Sequence, residues 1–346
     1  MNRLTRFENH PQYETFKGTD HYTKANVSIC TTEYHIHYDG INYENEYLTI
    51  TPLDDGYLRC FSQEGTIWYS LDNGKTWTEF INGNTPQELD KVPLTKGQKI
   101  LLKGNLNEAV TSTNHSITVR MAITEDEDII DENFTNIDFN VSGNLLSIGY
   151  GDDFVGNEKF TNTTVAFTSM FSYSNVVSAK NLILPQPTTE FMYGSMFSNC
   201  TKLIETPKLP YMSLTPGCYA GMFRECTSLT TGPELPATTL TYDCYSGMFS
   251  GCTSLTTAPV LPAKILADHC YYSMFMNCEN LTYINAQFIT YPDDYTMPIY
   301  NWVYGVASQG TFVMNGNAYW YYDRTNYIPE NWTIMTIPPR NTPISR

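Results

Sequence analysis

The sequence predicts a mostly β protein with short helices, in which an N-terminal segment and an antiparallel β-sandwich precede a short solenoid with a C-terminal cap. Three observations lead to this prediction. The pair Met-Phe recurs five times at an interval of 26 residues, which is typical of a repeat architecture. The stretch before the repeat alternates apolar and polar residues between turn signals, as half-buried strands do. A chain of 346 residues that is 41% hydrophobic and 16% charged is globular and long enough for more than one domain.

The N-terminal segment, residues 1–45, has no apolar run of the kind found in a secretory signal. It contains the strings TRFENHPQYETF and ANVSICTTEYHIHYDG. These strings resemble the opening segment of structural proteins from crAss-like phages, where a similar Arg-Phe-x-Asn-His stretch precedes Asn-Val-Ser-x-Cys and His-Tyr. The matching positions are residues 5–10, Tyr13, residues 26–28, Cys30, His37 and Tyr38.

The match to those phage openings is incomplete, since Ala25 and Asp39 stand where they often have Pro and Asn. In the phage proteins, such a module precedes variable domains and resembles a particle-docking segment. The resemblance therefore implies that residues 1–45 attach the protein to a virion. The candidate docking residues are Arg6, Phe7, His10 and Tyr13.

Residues 46–150 alternate apolar and polar residues in strings such as YLTITPL, TIWYSL and SITVRMAI. Turn signals separate these strings, notably Asp-Gly at 55–56 and Asn-Gly at 73–74. Asn-Gly and Asp-Gly are the dipeptides that two-residue hairpin turns favour. The pattern predicts a small antiparallel β-sandwich.

One string of this region, SLDNGKTW at residues 70–77, matches the S-x-D-x-G-x-T-W Asp-box of sialidase-type propellers. In that family the motif is a structural hairpin, repeated once per blade and remote from the chemistry. Here it occurs once, and no recognisable arginine triad or Tyr/Glu nucleophile pair accompanies it. A structural hairpin is therefore predicted, and a glycan-active enzyme is the alternative.

Residues 151–290 contain the repeat. Its Met-Phe pairs begin at positions 170, 196, 222, 248 and 274, with a cysteine at 200, 226, 252 and 278 and a leucine at 203, 229, 255 and 281. The apolar residues within positions 244–252 share one helical face, which predicts a short helix with Asp243 as its N-cap. After it, Pro259 and Pro262 hold the string SLTTAPVLP extended. Stacked in register, such units form a solenoid.

The pattern MFxxCTSLTTxPxLP resembles the BspA-like leucine-rich repeat, in which a helix ending in Phe-x-x-Cys leads into a strand ending in Pro. The resemblance covers residues from about 160 to 290 and is close in four copies. The strings are also similar to repeats common in proteins of gut Bacteroidetes and of their phages. The resemblance implies a leucine-rich-repeat solenoid.

Seven of the nine cysteines lie in this repeat. A zinc site needs close pairs such as C-x-x-C, which the sequence lacks. Two helical turns would also separate Cys244 from Cys252 by about 12 Å, too far for a disulfide. We therefore interpret the cysteines as small buried side chains in a ladder.

Two other groups are candidate metal ligands. The acidic run at residues 124–132 contains Asp126, Asp128 and Asp131, but it lacks the glycine and the final glutamate of an EF-hand loop. His35 and His37 lie on one side of a predicted strand without a further His or Cys cluster. No familiar catalytic motif is present either. The expectation is a non-enzymatic protein with no catalytic, cofactor-binding or metal-binding residues.

Residues 291–346 are similar to the segment that closes the phage repeat proteins, and their expected role is to cap the apolar end of the solenoid. An aromatic cluster in this segment fits either a packed cap or a platform for a glycan; it consists of Tyr319, Trp320, Tyr321 and Tyr322. In the solenoid, recognition is expected at positions that vary between copies, such as Arg224/Ser250/Met276 and Glu234/Val260. The repeated column Tyr193/Tyr219/Tyr245/Tyr271 is predicted to form the edge of the core.

The net charge of −16 argues against partners bound through phosphate groups, so neither nucleic acid nor an anionic membrane surface is expected as a partner. No stretch approaches the roughly 18 continuous apolar residues of a membrane span, so insertion into a membrane is not expected either. The resemblance implies a structural protein of a tailed-phage virion, a head fibre or capsid decoration made in the host cytoplasm without a signal peptide. Its expected partners are other virion proteins of the capsid or tail, further copies of itself as a dimer or trimer, and a host cell-surface glycan or protein. The alternatives are a tail fibre or receptor-binding protein and a bacterial BspA-like surface adhesin.

Overall fold

The computed structural model describes residues 43–62, 65–80, 91–107, 119–124, 136–163, 165–289, 297–318 and 327–337. Within these ranges the chain is mostly β, its helices are few and short, and none of its sheets is closed. None of the helices there has the length and apolar character that crossing a bilayer requires.

Nine strands precede or enter the repeat. They are β1 (Leu48–Pro52), β2 (Gly56–Ser62), β3 (Ile67–Ser70), β4 (Thr78–Glu79), β5 (Val92–Leu94), β6 (Ile100–Gly104), β7 (Val119–Thr124), β8 (Phe139–Asn144) and β9 (Val176–Ile183). The short helix α1 (Ser147–Tyr150) and the 3-10 helix Gly151–Phe154 follow β8, and another 3-10 helix, Tyr43–Asn45, precedes β1.

These strands form a six-stranded sheet in the order β4-β3-β6-β1-β8-β9 and a three-stranded sheet in the order β5-β2-β7. The predicted antiparallel pairing is confirmed for every pair except β8 and β9, which run parallel. The apolar residues whose alternation predicted the strands are buried in the structure. Leu48 and Ile50 of the large sheet and Leu58 of the small sheet have no exposed surface. Both sheets contribute to one hydrophobic core.

The large sheet continues into the repeat, because β9 lies beyond residue 150, where the predicted sandwich ends. On one side β9 pairs with β8. On the other side its residue Ala179 donates a main-chain hydrogen bond of 2.8 Å to Glu205 of the next copy. The sheet therefore leads into the stack of repeats without a break.

The five Met-Phe segments and one further segment form a stack of six short stretches, which we number turns 1 to 6: residues 165–174, 191–200, 217–226, 243–252, 269–278 and 297–306. Alternate main-chain N–H groups donate in two directions. In turn 4, the N–H of Phe249 donates to Met274 in turn 5 at 2.9 Å, while that of Met248 donates to Tyr245 in its own turn at 3.2 Å. Half of the amides thus join neighbouring turns, and the others close tight turns within each one.

The helix predicted over residues 244–252, with Asp243 as N-cap, is wrong. Asp243, Gly247 and Gly251 have φ values of 56°, 59° and 77°, whereas an α-helix needs a negative φ at every residue. A helix would also direct its amides to its own carbonyls and leave few to join neighbouring turns. The apolar spacing fits both conformations, and the small or polar residues at every fourth position permit the positive φ that selects the chain of turns.

The buried faces of the turns are lined by ladders of identical side chains. The rings of Phe197, Phe223, Phe249 and Phe275 stack with centroid separations of 5.8 Å. The parallel column Tyr193/Tyr219/Tyr245/Tyr271, predicted at the edge of the core, has separations of 5.8 to 6.0 Å and is almost fully buried. The extended strings form isolated bridges, such as Thr231 with Thr257.

The C-terminal part extends this stack. Phe275 donates to the carbonyl of Trp302 at 2.8 Å, so residues 297–306 form a sixth turn with a spacing of 28 residues. Three parallel strands follow the same direction: β10 (Tyr283–Ala286), β11 (Thr311–Asn315) and β12 (Thr333–Ile337). The indoles of Trp302 and Trp332 donate to main-chain carbonyls at 2.8 Å. Part of the segment predicted to cap the stack thus lengthens it by one turn.

Candidate functional site

Several of the predicted site residues lie outside the described residues. These are the docking candidates Arg6, Phe7, His10 and Tyr13, the glycan candidates Tyr319, Trp320, Tyr321 and Tyr322, and the metal candidates His35, His37, Asp126, Asp128 and Asp131. The docking and glycan-contact roles, and the expectation that the acidic run and the two histidines hold no metal, therefore stay predictions.

The seven repeat cysteines are all buried, which confirms their interpretation as packing residues. Cys252 is typical of its column: its Sγ donates to the carbonyl of Phe223 at 3.0 Å. Burial raises the pKa of the Cys244 and Cys252 thiols to about 12, which disfavours the reactive thiolate. Across the described ranges, no disulfide forms and no group of three His, Cys, Asp or Glu side chains is arranged to hold a metal.

The Asp-box string forms the hairpin between β3 and β4, as predicted. Asp72 accepts hydrogen bonds from the amide of Thr76 at 2.9 Å and from the hydroxyls of Thr76 and Ser70 at 2.7 and 2.8 Å. These donors lower the pKa of Asp72 to about 2. Gly74 completes the turn with a φ of 81°. Since the carboxylate is occupied by its own hairpin, its role is to hold the turn.

A polar cluster joins this hairpin to the segment after α1. The Lys103 ammonium lies 4.2 Å from the centre of the Trp77 ring and contacts the Asp152 carboxylate at 2.8 Å. Asp152 also accepts a hydrogen bond of 2.7 Å from the hydroxyl of Tyr47. Burial and then this carboxylate raise the pKa of Tyr47 to about 12. Each charged group has a partner within the cluster, so the cluster connects the β3–β4 hairpin to the 3-10 helix that follows α1.

The positions expected to vary for recognition are only partly accessible. Arg224, Glu234 and Val260 are exposed and Met276 is half-buried, but Ser250 is 2% exposed. The prediction for Ser250 is wrong because its side chain is too short to reach the surface next to Glu225, whose carboxylate lies over the adjacent Gly251.

A continuous group of rings that we call the aromatic patch runs from the residue before turn 4 to turn 6: Tyr242, His269, Tyr272 and Tyr300. Tyr242 meets His269 edge to face at 5.6 Å, and His269 lies 5.5 Å from Tyr272. Tyr272 stacks on Tyr300 at 5.7 Å with 24° between the planes. Tyr242 and Tyr300 are 49% and 41% exposed. Four rings from three successive units therefore form one accessible surface.

The surroundings of the patch are acidic. Asp243 raises the pKa of Tyr242, chiefly by its negative charge, and Asp268 adds to the effect. The Nδ1 atom of His269 is shielded and has no hydrogen-bond partner among the described residues. The patch thus combines ring faces with carboxylate acceptors.

Two of the four rings, Tyr272 and Tyr300, stand at the same repeated position of their turns. This position carries Thr168, Gly194, Ala220, Ser246, Tyr272 and Tyr300 in turns 1 to 6. The sequence alone did not predict the aromatic patch because turn 6 lacks the Met-Phe pair and follows turn 5 after 28 residues and not 26. The change from Ser246 to Tyr272 was the available signal.

A groove of about 480 Å³ is formed by residues that closely precede Tyr242 and His269 in the chain. It is lined by residues 238–240, 262 and 264–267, and Ile265 there is 68% exposed. Apart from Lys264 its lining is uncharged.

Comparison of the chain with protein-family models, with curated proteins and with solved structures found no match.

Proposed function

We propose that the chain is a non-catalytic structural protein of a tailed-phage virion, a head fibre or decoration that docks through residues 1–45 and displays a leucine-rich-repeat solenoid of 26-residue period. In this proposal the solenoid is scaffold, and its outward positions contact the host surface. The partners are the capsid or tail proteins at one end and further copies of the chain as a dimer or trimer.

One observation supports a display function above the others. Inward positions repeat the same residue from turn to turn, as in the phenylalanine and cysteine ladders. One position of the same turns changes instead, from the buried Gly194 and half-buried Ala220 to the half-buried Tyr272 and the exposed Tyr300. Ladder positions must match their neighbours to pack, whereas outward positions are free to differ and to acquire binding residues.

The assignment to a virion is supported by the resemblance of residues 1–45 to the openings of phage structural proteins. The placement on the head is favoured because the sequence has no heptads for the long coiled-coil shaft of a tail fibre.

Mass spectrometry of particles purified from a lysate that contains the chain tests this proposal. The wild-type protein should co-purify with the major capsid protein. The double variant Arg6→Ala/Phe7→Ala should be lost from the particles, while a variant of the exposed Lys208, Lys208→Ala, should be retained. Absence of the wild-type protein from the particles would overturn the virion assignment, and retention of the double variant would overturn the docking assignment.

A further inference from the structure

We propose that the aromatic patch is a binding site for an uncharged pyranose saccharide. This inference deepens the proposed function by naming the ligand class of the displayed surface, and it rests on the proposal that the solenoid is a binding scaffold.

The geometry of the rings favours a ligand with flat apolar faces. Tyr272 and Tyr300 stack on each other with 24° between their planes, so the most accessible ring surfaces are those of the two end rings, Tyr242 and Tyr300, which are 49% and 41% exposed. The C–H groups of a pyranose carry a slight positive charge and pack against the negative face of an aromatic ring. Since Tyr272 and Tyr300 already contact each other, little side-chain freedom is lost when a ligand binds.

The polar groups around the rings favour a ligand that is rich in hydroxyls. Carboxylates are acceptors only, and Asp243 and Asp268 stand at the Tyr242 end of the patch. Sugar hydroxyls can donate to these carboxylates and to the phenol oxygens.

The charge of this surface argues against acidic saccharides. Asp243 and Asp268 would repel a uronate or a sialic acid, and the whole chain carries a net charge of −16. An uncharged sugar avoids this repulsion and can still pack against the rings.

Binding of the purified full-length chain to immobilised hexasaccharides tests the inference. The neutral probes are hexamers of glucose, mannose, galactose and N-acetylglucosamine, and the anionic probe is hexagalacturonate. The wild type should bind at least one neutral probe and bind hexagalacturonate at least tenfold more weakly. Tyr272→Ser and Tyr300→Ser should each weaken neutral binding by tenfold or more.

Tyr272→Ser installs the residue that the chain itself uses at Ser246, so the turn should keep its fold. The matched control is Tyr173→Ser, because Tyr173 is 71% exposed in turn 1, at the other end of the stack. Its binding should equal that of the wild type, and thermal unfolding should show all three variants folded.

Three results would overturn the inference: no binding to any neutral probe, equal binding by the wild type and both patch variants, or preference for hexagalacturonate. A change of the chain from oligomer to monomer in Tyr272→Ser without loss of sugar binding would also contradict it, since the patch would then be a subunit contact. If the chain is found in purified particles and the particles bind none of the probes, the saccharide inference is wrong and the proposed virion function is unaffected.

Discussion

The thiol of Cys252 donates a hydrogen bond of 3.0 Å to the main-chain carbonyl of Phe223, the residue 29 positions before it. The same bond recurs from Cys200, Cys226 and Cys278 to the phenylalanine of the preceding turn. Each cysteine therefore fastens its own turn to the one before it, in addition to filling the core.

Replacement of Cys252 by alanine removes a buried sulfur atom and this hydrogen bond. We expect Cys252→Ala to lower the free energy of unfolding by about 1–2 kcal/mol. Urea unfolding followed by circular dichroism measures it, with Thr230→Ala at an exposed position as control. A Cys252→Ala variant as stable as the control would contradict the proposed role of the thiol.

Alkaline pH should weaken the stack through the same thiols. Burial raises the pKa of Cys244 and Cys252 from 9.0 to about 12, so the folded chain keeps protons that the unfolded chain loses. Their contribution is fully present below pH 9 and declines as the pH rises towards 12. The free energy of unfolding should fall between pH 8 and pH 10.5, and less steeply in Cys252→Ala. Equal slopes in both proteins would show that these thiols do not cause the decline.

Two glycines with the same backbone conformation should respond differently to alanine. Gly217 and Gly247 have φ values of 61° and 59°, but a Cβ at Gly217 would lie 2.3 Å from the Phe191 ring, whereas nothing lies within 4 Å at Gly247. Gly247→Ala should cost about 1 kcal/mol from backbone strain. Gly217→Ala should cost about 1–3 kcal/mol more from overpacking.

Urea unfolding of both glycine variants measures the difference. Combining Gly217→Ala with Phe191→Ala should remove most of the extra cost, because the clashing ring is then absent. Equal stabilities of the two single variants would mean that turns 2 and 3 do not pack in this way.

The Asp72 carboxylate of the Asp-box should stabilise the hairpin only while it is ionised. Hydrogen bonds from Thr76 and then Ser70 lower the pKa of Asp72 from 3.8 to about 2. Its contribution is therefore present above pH 4 and is lost as the pH falls through 2. Asp72→Asn should lower the melting temperature at pH 7, and the difference from wild type should shrink at pH 2.5. A difference that persists unchanged at pH 2.5 would contradict the role of the charge.

Much of the fold followed from the sequence because buried positions repeat or alternate. The Met-Phe pairs showed which positions of each repeat are buried. The Asn-Gly dipeptide and the Asp-box predicted the hairpin at residues 70–77. Both features depend on local chemistry, which a single sequence contains.

The helix prediction failed for a physical reason. Apolar residues spaced one, four and five apart fit a helix and a chain of turns equally well, and only bonds between turns separate the two. Those bonds join residues such as Tyr245 and Cys270, 25 positions apart. The local signal was the middle positive-φ position of turns 2 to 6, which carries glycine, serine or asparagine, residues that tolerate this conformation: Ser195, Gly221, Gly247, Ser273 and Asn301.

The aromatic patch could not be predicted because its four rings come together only when the turns stack on one another. Tyr242 and Tyr300 are far apart in sequence, and His269 and Tyr272 connect them. Turn 6 joins the stack with a spacing of 28 residues and with Trp302 in place of the repeated methionine, so the pattern alone did not include it.

Immunogold electron microscopy of an infected culture, with an antibody against the full-length chain, tests the central proposal most directly. Gold on released particles, located on the head and absent from the envelope of uninfected cells, is the predicted result. Gold on the envelope of uninfected cells, with none on particles, would contradict the virion assignment and favour a bacterial adhesin.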